Sequence, residues 1–597
     1  MQMEIILKSR ITEGLRILYN SEVSDDLVQI HETRKEFIGD FTLVVFPLLR
    51  FSKNTPEKTG ETIGRYLMDT FPSVTGFNVI KGFLNLEISP SWWISCFGGM
   101  LAGDDLLGKC RSDDPETILI EYSSPNTNKP LHLGHIRNNL LGFSLYRILS
   151  ACGHRVIKTN IVNDRGIHIC KSMLAWQKYG KGETPAKSGI KGDHLVGKYY
   201  VLFEREYRKQ ADVLIADGMD PVEAKNNAPL LKEAREMLVK WEAGDPETME
   251  LWNMMNSWVY EGFNETYRKL GVDFDKIYYE SDTYKTGRDI IYNALQEGLL
   301  HENGDSSIWA DLTDEGLDQK LLLRSDGTAV YMTQDIGTAV LRHEEFGFDR
   351  CIYVVGNEQN YHFQVLKAIL KKMNYTWSEG LYHFSYGMVE LPEGRMKSRE
   401  GVIVDADDLI AEMIETAREV SLELGKLSDF PGNEKGEIYR KIGLAALKYF
   451  ILKVDPKKNM TFNPAESIDF NGNTGPFIQY TYARIRSVFR KAEEAGITFS
   501  RNISLTVGAG AKEIQLIKLL RRFAFTVTEA AKTYSPALIA NYCYDLAREY
   551  NQFYHDFTIL GETDQTVRDL RMGLSEITGK VLSTGMLLLG IEMPERM

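Results

Sequence analysis

The chain has 597 residues and a mass of 68.0 kDa, which is too long for one hydrophobic core and predicts about three or four domains. Apolar residues make up 43% and charged residues 26%, and there is no run of about 18 apolar residues that would suggest a membrane span. A net charge of −13 argues against indiscriminate binding to polyanions, although acidic and basic residues balance from Ala465 onwards. Without the apolar core of a signal peptide, and with six scattered cysteines, the sequence predicts a cytoplasmic protein with reduced thiols.

Residues 1–115 form the first predicted domain, in which helical segments mix with strand-like runs such as FTLVVFPLL and VIKGFLNLEIS. No pattern typical of a catalytic site occurs there. The polar segment from Ser112 to Glu116 is interpreted as the linker to the next domain.

The most informative stretch runs from Glu121 to Gly142 and reads EYSSPNTNKPLHLGHIRNNLLG. The preceding TILIEY predicts a buried strand, and the apolar spacing after the stretch of prolines and asparagines predicts a helix. His132, Gly134 and His135 then lie where that helix begins, and the free N–H groups of a helix N-terminus attract phosphate. The spacing places both imidazoles on one face, and Gly134 has no Cβ to obstruct a base or ribose.

Two other interpretations of the histidine pair are open, a metal half-site or two surface histidines, because short motifs match by chance. The chain has 11 His and no CxxC, so a zinc site lacks obvious further ligands. The context of strand, turn and helix favours the nucleotide site.

The helix is expected to end near Gly153, and HRVIKTNIVND predicts the next strand. Strand, helix and strand in this order predict a parallel sheet with its ligand at the carboxyl ends of the strands. Asn163, Asp164 and Gly166 follow the second strand and are expected on the same rim as His132.

Residues from Gly180 to about Asn256 are charged and favour helices. We interpret them as an insertion, and this charge pattern favours a solvated helical hairpin over a second active site.

Three later segments resume the pattern of functional side chains near strand ends. Glu280 follows the predicted strand in VDFDKIYYESD, although a surface turn carboxylate is an equal alternative. Tyr331 and Asp335 share one face of a predicted helix and suit a flat cation, with ordinary packing as the alternative. RCIYVVGNEQNYHFQ predicts a buried strand followed by polar residues that include Gln359 and His362.

The segment ELPEGRMKSREGVIV contains Lys397, Ser398 and Arg399 between two glycines. Such a loop could act as a mobile cationic arm on phosphates, whereas KSR alone is usually only a charged turn.

Beyond Asp405 the apolar spacing predicts helices to the C-terminus, five of which are expected to form a bundle. Aromatic and basic residues alternate at Tyr480, Arg484 and Arg486. Such residues can stack on unpaired RNA bases and contact phosphates, although a tyrosine stripe in a bundle is more often core.

HLGH and MKSREG resemble the HIGH and KMSKS signatures of class I aminoacyl-tRNA synthetases. SSPNxxKPLHxGHxRxxxxG, YMTQDIG, YVVGNEQxxH and NTGPFIQYTYAR resemble arginyl-tRNA synthetases, and they occur in the family's order. The resemblance extends over essentially the whole chain, including the terminal GIEMPERM.

This resemblance implies an α/β fold with a Rossmann-like parallel-sheet catalytic domain at 116–400, which would contain the helical insertion at about 180–256. It also implies an α+β N-terminal domain at 1–115 that touches the outer corner of the tRNA. An all-α C-terminal bundle at 401–597 would bind the anticodon.

The implied activity is arginine–tRNA ligation with ATP, L-arginine and tRNA(Arg) as substrates, Mg²⁺ accompanying ATP, no zinc or other metal site, and a monomer as the expected state. Activation of arginine is expected to need bound tRNA. The implied ATP site comprises His132, Gly134, His135, Lys397, Ser398 and Arg399. The implied arginine site comprises Asn126, Glu280, Tyr331, Asp335 and Gln359. Tyr480, Arg484 and Arg486 would contact tRNA.

The resemblance makes His132, His135, Lys129 and Lys397 the expected catalytic residues. Arginyl enzymes often lack the usual lysine of the KMSKS loop, and Lys129 is thought to take over its role. Because this chain also has Lys397, both lysines are candidates for neutralising the phosphates.

Two rival hypotheses also fit parts of the sequence. A class I ligase or nucleotidyltransferase with another substrate would share the HLGH fold, but zinc-ligand cysteines are absent and the helical C-terminus is long. An RNA-binding regulator without catalysis is disfavoured because His132, His135 and Lys397 are all intact.

Overall fold

The structure is a computed structural model, and it describes residues 3–34, 36–103, 112, 114–390, 404–423, 431–504 and 508–597. The chain divides into two compact units. The first consists of Met1–Leu106, Val488–Arg522 and Arg548–Gly579, and the second of Leu107–Ser487, Phe523–Ala547 and Lys580–Met597. The C-terminal helices therefore contribute residues to both units.

The N-terminal part of the first unit has four strands: β1 (Ile30–Glu32), β2 (Phe41–Val44), β3 (Val74–Ile80) and β4 (Phe83–Ile88). They form one antiparallel sheet in the order β1-β2-β4-β3. Its helices are α1 (Met3–Tyr19), α2 (Leu49–Ser52), α3 (Pro56–Thr70) and α4 (Pro90–Ala102). The two strand-like runs noted in the sequence thus contribute to β2, β3 and β4, and the region is α+β as predicted.

The described strands of the second unit follow in chain order: β5 (Thr117–Glu121), β6 (Arg155–Val162), β7 (Lys276–Tyr279), β8 (His301–Glu302), β9 (Ile308–Ala310), β10 (Lys320–Leu323), β11 (Arg350–Gly356), β12 (Leu381–Tyr386), β13 (Val389–Glu390) and β14 (Met460–Thr461). Its helices up to the insertion are α5 (Leu133–Ala151) and α6 (Ile167–Tyr179), and the insertion holds α7 (Pro185–Ser188), α8 (Gly192–Ala216), α9 (Pro221–Asn227), α10 (Pro229–Glu242) and α11 (Pro246–Leu270). They are followed by α12 (Glu280–Gln296), α13 (Tyr331–Phe346) and α14 (Asn360–Lys372).

A parallel sheet of five strands in the order β12-β11-β5-β6-β7 organises the second unit. Ile118, Leu119 and Ile120 of the central strand β5 are all fully buried, because helices cover both faces of the sheet. This arrangement confirms the predicted α/β fold with a parallel sheet. The carboxyl ends of β5, β6, β7 and β11 lie at one edge, where the residues singled out in the sequence follow.

Two smaller sheets were not predicted. Strands β8, β9 and β10 form an antiparallel sheet in the order β10-β9-β8, and β13 pairs in parallel with β14. These strands are short, so their side-chain alternation gave no clear sequence signal.

The insertion differs from the predicted solvated hairpin, since it contains five helices instead of two. Leu195, Tyr199 and Phe203 bury one face of α8, and Val259 and Phe263 bury one face of α11. The interpretation as a solvated hairpin was wrong because charged residues on the outer faces masked the apolar stripes underneath.

The region after Asp405 is helical, as predicted, apart from β14. Its described helices are α15 (Ala406–Glu423), α16 (Gly432–Leu452), α17 (Pro464–Ser467), α18 (Gly475–Glu494), α19 (Ala511–Thr533), α20 (Pro536–Asp556) and α21 (Gln565–Leu588). Side chains connect them within each unit: Tyr449 donates its hydroxyl to the Ala540 carbonyl, and the Tyr550 hydroxyl lies 3.0 Å from Ser575 Oγ. Among the described helices, none is both long and apolar enough to span a membrane.

Candidate functional site

The turn between β5 and α5 is fixed by the end of the neighbouring strand β6. Asn126 and Asn163 form a parallel β-bridge, and the Thr127 N–H donates to the Asn163 carbonyl at 3.1 Å. Ser123 and Ser124 have φ values of +81° and +47°, a left-handed conformation that non-glycine residues rarely adopt. A strained, doubly anchored turn of this kind is typical of functional sites in parallel sheets.

His132 is the N-cap of α5, and its ring lies against that of His135, with 3.9 Å between the ring centroids. Nδ1 of His132 accepts the Gly134 N–H at 3.1 Å, and Nδ1 of His135 accepts the His132 N–H at 3.2 Å. The Leu133 N–H donates to the Val404 carbonyl. The expectation of free N–H groups at this helix start is therefore wrong for Leu133 and Gly134, whose amides already have partners.

Both imidazoles are neutral near pH 7. Burial, followed by the neighbouring Lys129 ammonium, lowers the pKa of His132 to about 4. Burial lowers the pKa of His135 well below its ordinary value, with His132 and Lys129 as further causes. Because each Nδ1 accepts a backbone N–H, the proton of each neutral ring resides on Nε2, so each ring offers an N–H donor.

A cleft of about 1010 Å³ opens beside this turn, and four of the predicted residues line it: Asn126, Lys129, Glu280 and Tyr331. They come from the turn after β5, the start of α12 and the start of α13. Burial lowers the pKa of Lys129. The parallel sheet thus brings together residues that are more than 200 positions apart, as expected for strand ends at one edge.

Glu280 is the first residue of α12 and is only 8% exposed, so its interpretation as a surface turn carboxylate was wrong. Burial raises its pKa to about 7; Asp164 and Asp335 act in the same direction, while Arg165 and a hydrogen bond with Gln334 oppose it. The sequence did not indicate this burial because the residue begins a helix directly after a short strand.

Close helix packing sets the position of Glu280 relative to α13. A Cβ on Gly287 of α12 would lie 2.0 Å from the Thr333 carbonyl oxygen of α13. Only glycine allows this approach, which holds the α12 carboxylate beside Gln334.

Asp164 does not line the cleft but fixes its wall. Its carboxylate accepts the Ser281 N–H at 2.9 Å, the Ser281 hydroxyl at 2.7 Å and the Tyr260 hydroxyl at 2.9 Å. The side chain that follows β6 therefore orients the residue next to Glu280, and burial is the main cause that raises the pKa of Asp164.

Asp335 and Gln359, which were also predicted to bind arginine, are not among the residues that line the cleft. Asp335 lies one turn after Tyr331, and its Oδ2 is 2.6 Å from Nε2 of His362. Gln359 ends a short 3-10 helix, Asn357–Gln359, that follows β11, and it is exposed. Tyr331 is also exposed, with 77% of its surface accessible.

Arg165 is a cleft residue that the sequence reasoning missed, although it lies between Asp164 and Gly166, which were noted. Its guanidinium carbon lies 4.1 Å from the ring centroid of Tyr284, and its Nη2 is 3.1 Å from Glu242 of the insertion. His168, Tyr284 and Gln334 also line the cleft without having been singled out. Their position after a strand end or near the start of a predicted helix was the signal available.

Lys397, Ser398 and Arg399 lie outside the described residues. Val404 and Asp405, which follow them in the chain, are described and pair with the residues around His132. In the C-terminal helices, Arg484 stacks on Tyr480 with 4.9 Å between the guanidinium carbon and the ring centroid. Arg486 forms an ion pair with Glu595.

Two family models match the chain. The model of the catalytic domain of class I tRNA synthetases (R) matches residues 99–463, and the model of the DALR anticodon binding domain matches residues 478–597. Among curated proteins, the chain is 59% identical to an arginine–tRNA ligase from Bacteroides thetaiotaomicron over 598 residues, covering all of both chains. It is 55% identical to one from Porphyromonas gingivalis over 591 residues, covering 99% of both.

Solved structures of arginyl-tRNA synthetases resemble this chain over its full length. An arginyl-tRNA synthetase from Thermus thermophilus superposes with a TM-score of 0.79 at 25% identity and full coverage of both chains. One from Plasmodium falciparum, at 21% identity, has a TM-score of 0.75 and shares the fold over 100% of this chain and 99% of its own.

Proposed function

Because the chain belongs to the arginyl family of class I tRNA synthetases, we propose that it ligates L-arginine to tRNA(Arg) at the expense of ATP. In the first step a carboxylate oxygen of arginine attacks the α-phosphorus of ATP, the bond to the β-phosphate breaks, and arginyl-adenylate and pyrophosphate form. In the second step a ribose hydroxyl of the terminal adenosine attacks the arginyl carbonyl, and AMP leaves.

The observation that carries this proposal is the convergence of Asn126, Lys129, Glu280 and Tyr331 on one cleft beside the paired histidines of α5. The cleft offers an anionic group and an aromatic ring for a flat cation, and the adjoining turn offers neutral donors for phosphate. Two substrates of opposite charge can therefore meet at the carboxyl edge of the sheet.

Arginine is the amino acid that this cleft suits. Its guanidinium presents five N–H donors in a fixed plane, which two carboxylates such as Glu280 and Asp335 can accept while Tyr331 covers its face. We assign Asn126 and Gln359 to the polar part of the same substrate. Lysine lacks the planar fork and would leave buried acceptors unpaired, so discrimination of about 10⁴ or more is attainable by binding alone.

We assign the ATP phosphates to the turn and first residues of α5. His132 and His135 donate from Nε2, and neutral donors oriented by the backbone need no reorganisation as charge develops on the α-phosphate. Gly134 leaves room beside the His132 ring for the nucleotide. Lys129, together with Lys397 and Arg399, supplies cations for the phosphates, Ser398 supplies a neutral hydroxyl donor, and Mg²⁺ accompanies ATP as a further counterion.

The assignments to tRNA remain predictions. Residues 1–115 would touch the outer corner of the tRNA, 116–400 would bind the reacting ends, and 401–597 would bind the anticodon. The stacked pair of Tyr480 and Arg484, with Arg486, is the candidate contact for unpaired bases. A monomer that works in the cytoplasm is also predicted.

A charging assay with purified chain, tRNA and ATP tests the proposal, with arginine, lysine and glutamine supplied in separate reactions. Incorporation of arginine alone is expected, and Glu280→Gln serves as the matched variant that should charge arginine more slowly at low arginine concentration while it remains folded. Absence of arginine incorporation by the unaltered chain would overturn the proposal. Isotope exchange between ATP and pyrophosphate should additionally require tRNA.

A further inference from the structure

The first two turns of α8, which belongs to the insertion, contact the turn that precedes His132 and also α11. A Cβ on Gly197, in the second turn of α8, would be 2.9 Å from Cδ of Pro130, so only glycine allows this contact without displacement. A Cβ on Gly192, in the first turn, would be 2.1 Å from the Trp258 carbonyl oxygen of α11. The start of α8 therefore packs between α11 and the turn that leads into the HLGH segment.

His194 in this first turn lies between two carboxylates. Its Nδ1 is 3.1 Å from Oδ1 of Asp193, which is fully buried, and its Nε2 is 2.9 Å from Oδ2 of Asp405. The carboxylates of Asp193 and then Asp405 raise the pKa of His194 to about 10, so the ring is a cation throughout the neutral range. The link joins residues 211 positions apart in the sequence.

Lys191 forms a second link between the same two segments. Its Nζ is 3.0 Å from Asp193, 2.6 Å from Asp407 and 2.7 Å from the Thr266 hydroxyl. Asp193, His194 and Asp407 are spaced as metal ligands could be, but the Lys191 ammonium contacts both carboxylates and Lys269 also pairs with Asp407. The arrangement is therefore an ion-pair cluster within the part of the chain that the structure describes.

Asp405 connects His194 to the backbone around the histidine pair. Its Oδ1 caps α15 by accepting the N–H groups of Asp407 and Asp408 at 2.8 and 3.2 Å. Its backbone forms an antiparallel bridge with His132. On either side, the Leu133 N–H donates to Val404 and the Ala406 N–H donates to Leu131, both at 3.0 Å. A shift of Asp405 would therefore move the backbone that sets the His132 ring.

We propose that His194 is a positioning residue for amino-acid activation, which holds Asp405 and thereby the backbone of His132 at the reacting phosphates. The inference gives the charged insertion a role in catalysis, and it rests on the proposed arginine–tRNA ligase function. Both ring nitrogens of His194 already face carboxylates, so it acts through Asp405 and not by touching substrate.

The test measures kcat and the KM values of arginine and ATP for the full chain carrying His194→Gln. Glutamine keeps a hydrogen-bonding amide but no charge. We expect kcat to fall about 10-fold, equivalent to about 1.4 kcal/mol, because the transition state depends most on exact donor placement. The arginine KM should change by less than about 2-fold, since Glu280 and Tyr331 are on other elements.

Asp405→Asn is the second variant, and it keeps a capping oxygen for α15 because asparagine is also a good N-cap. If His194 acts through Asp405, the double variant should be no slower than the slower single variant. Lys198→Gln, also on α8, is the matched control. It removes an exposed ion pair with Glu183, in which Nζ and Oε2 are 2.8 Å apart, and it should leave kcat unchanged.

The unaltered chain is assayed first, so that a failure of the proposed function appears as absent arginine charging. With charging present, three results would overturn the role of His194. These are an unchanged kcat in folded His194→Gln, a loss confined to KM, or losses from the two variants that multiply. Thermal melting of each variant identifies a loss of activity caused by unfolding. If His194→Gln proves unfolded, Asp405→Asn is judged instead: an unchanged kcat or a loss confined to KM would then overturn the role.

Discussion

Nε2 of His362, at the start of α14, lies 2.6 Å from Oδ2 of Asp335, which is one turn after Tyr331 in α13. The carboxylate that we assign to arginine binding is therefore oriented by an imidazole before substrate arrives. One oxygen is held by His362, which leaves the other for a guanidinium N–H. Such second contacts fix a binding group in one rotamer and reduce the cost of ordering it on binding.

Asp335→Asn should raise the arginine KM by about 10- to 100-fold, because charge-assisted hydrogen bonds contribute about 1.5–3 kcal/mol. The ATP KM should hardly change. Steady-state charging kinetics at varied arginine and ATP check this. His362→Gln is the matched control and should raise the arginine KM by a smaller factor, since the carboxylate stays charged but loses its orientation. Equal losses for arginine and ATP would mean that Asp335 is structural.

Glu280 should make arginine binding depend on pH. Its pKa of about 7 means that the carboxyl group is mostly protonated at pH 6 and mostly ionised at pH 8. Only the ionised form attracts guanidinium, so the arginine KM should fall by about tenfold as pH rises across this interval. The charged groups acting on it are Arg165, Asp164 and Asp335. In Glu280→Gln the fall of the arginine KM between pH 6 and 8 should vanish. An arginine KM that rises with pH in the unaltered chain would contradict the assignment.

His135→Ala should lower kcat about 100-fold or more, as loss of one donor to a developing charge does. His168→Ala is a suitable comparison, because this histidine lines the cleft and contacts the Tyr200 hydroxyl but is not part of the α5 pair. Burial lowers the pKa of His132 to about 4, so its ring stays neutral above that pH. The pH profile of kcat should therefore show no titration of this imidazole between about pH 5 and 7. Rapid-quench measurement of adenylate formation isolates the step.

A pair of glycine variants tests how tightly α5 packs on the sheet. A Cβ on Gly142 would lie 2.4 Å from the ring of buried Tyr122, so Gly142→Ala should destabilise the chain by about 1–3 kcal/mol through overpacking. Gly98 of α4 has no heavy atom within 4 Å of such a Cβ. Gly98→Ala should therefore stabilise its helix by about 0.5–1 kcal/mol. Chemical denaturation of both variants measures the difference, and equal shifts would refute it.

Local elements of the fold were predictable from the sequence. The apolar run before Glu121 became the central strand β5, and the pattern after His132 became α5 with Gly153 just beyond its end at a φ of +91°. Buried parallel strands and amphipathic helices leave periodic patterns, and those patterns survive in a single sequence. The insertion was the exception, since its solvent-facing charges hid the apolar faces of α8 and α11.

The candidate site was predictable where a side chain follows a strand end. Glu280 was identified in this way, Tyr331 by its place on a predicted helix face and Asn126 through the family resemblance, and all three line one cleft. Arg165 was missed at an equivalent position, because neighbouring residues in the same turn offered competing candidates. Burial decided the rest: the pKa of Glu280 is raised because the fold buries its carboxyl group.

The α/β class, the strand–helix–strand unit around HLGH and the motif residues follow from the sequence alone, since each rests on short-range spacing. The partners of those residues are set by the folded chain. His194 with Asp405, Asp335 with His362 and Arg165 with Glu242 each join separate helices or loops. An ion pair requires only that two opposite charges come close in the folded chain. It therefore leaves no periodic pattern in the sequence, and folding establishes which charges meet.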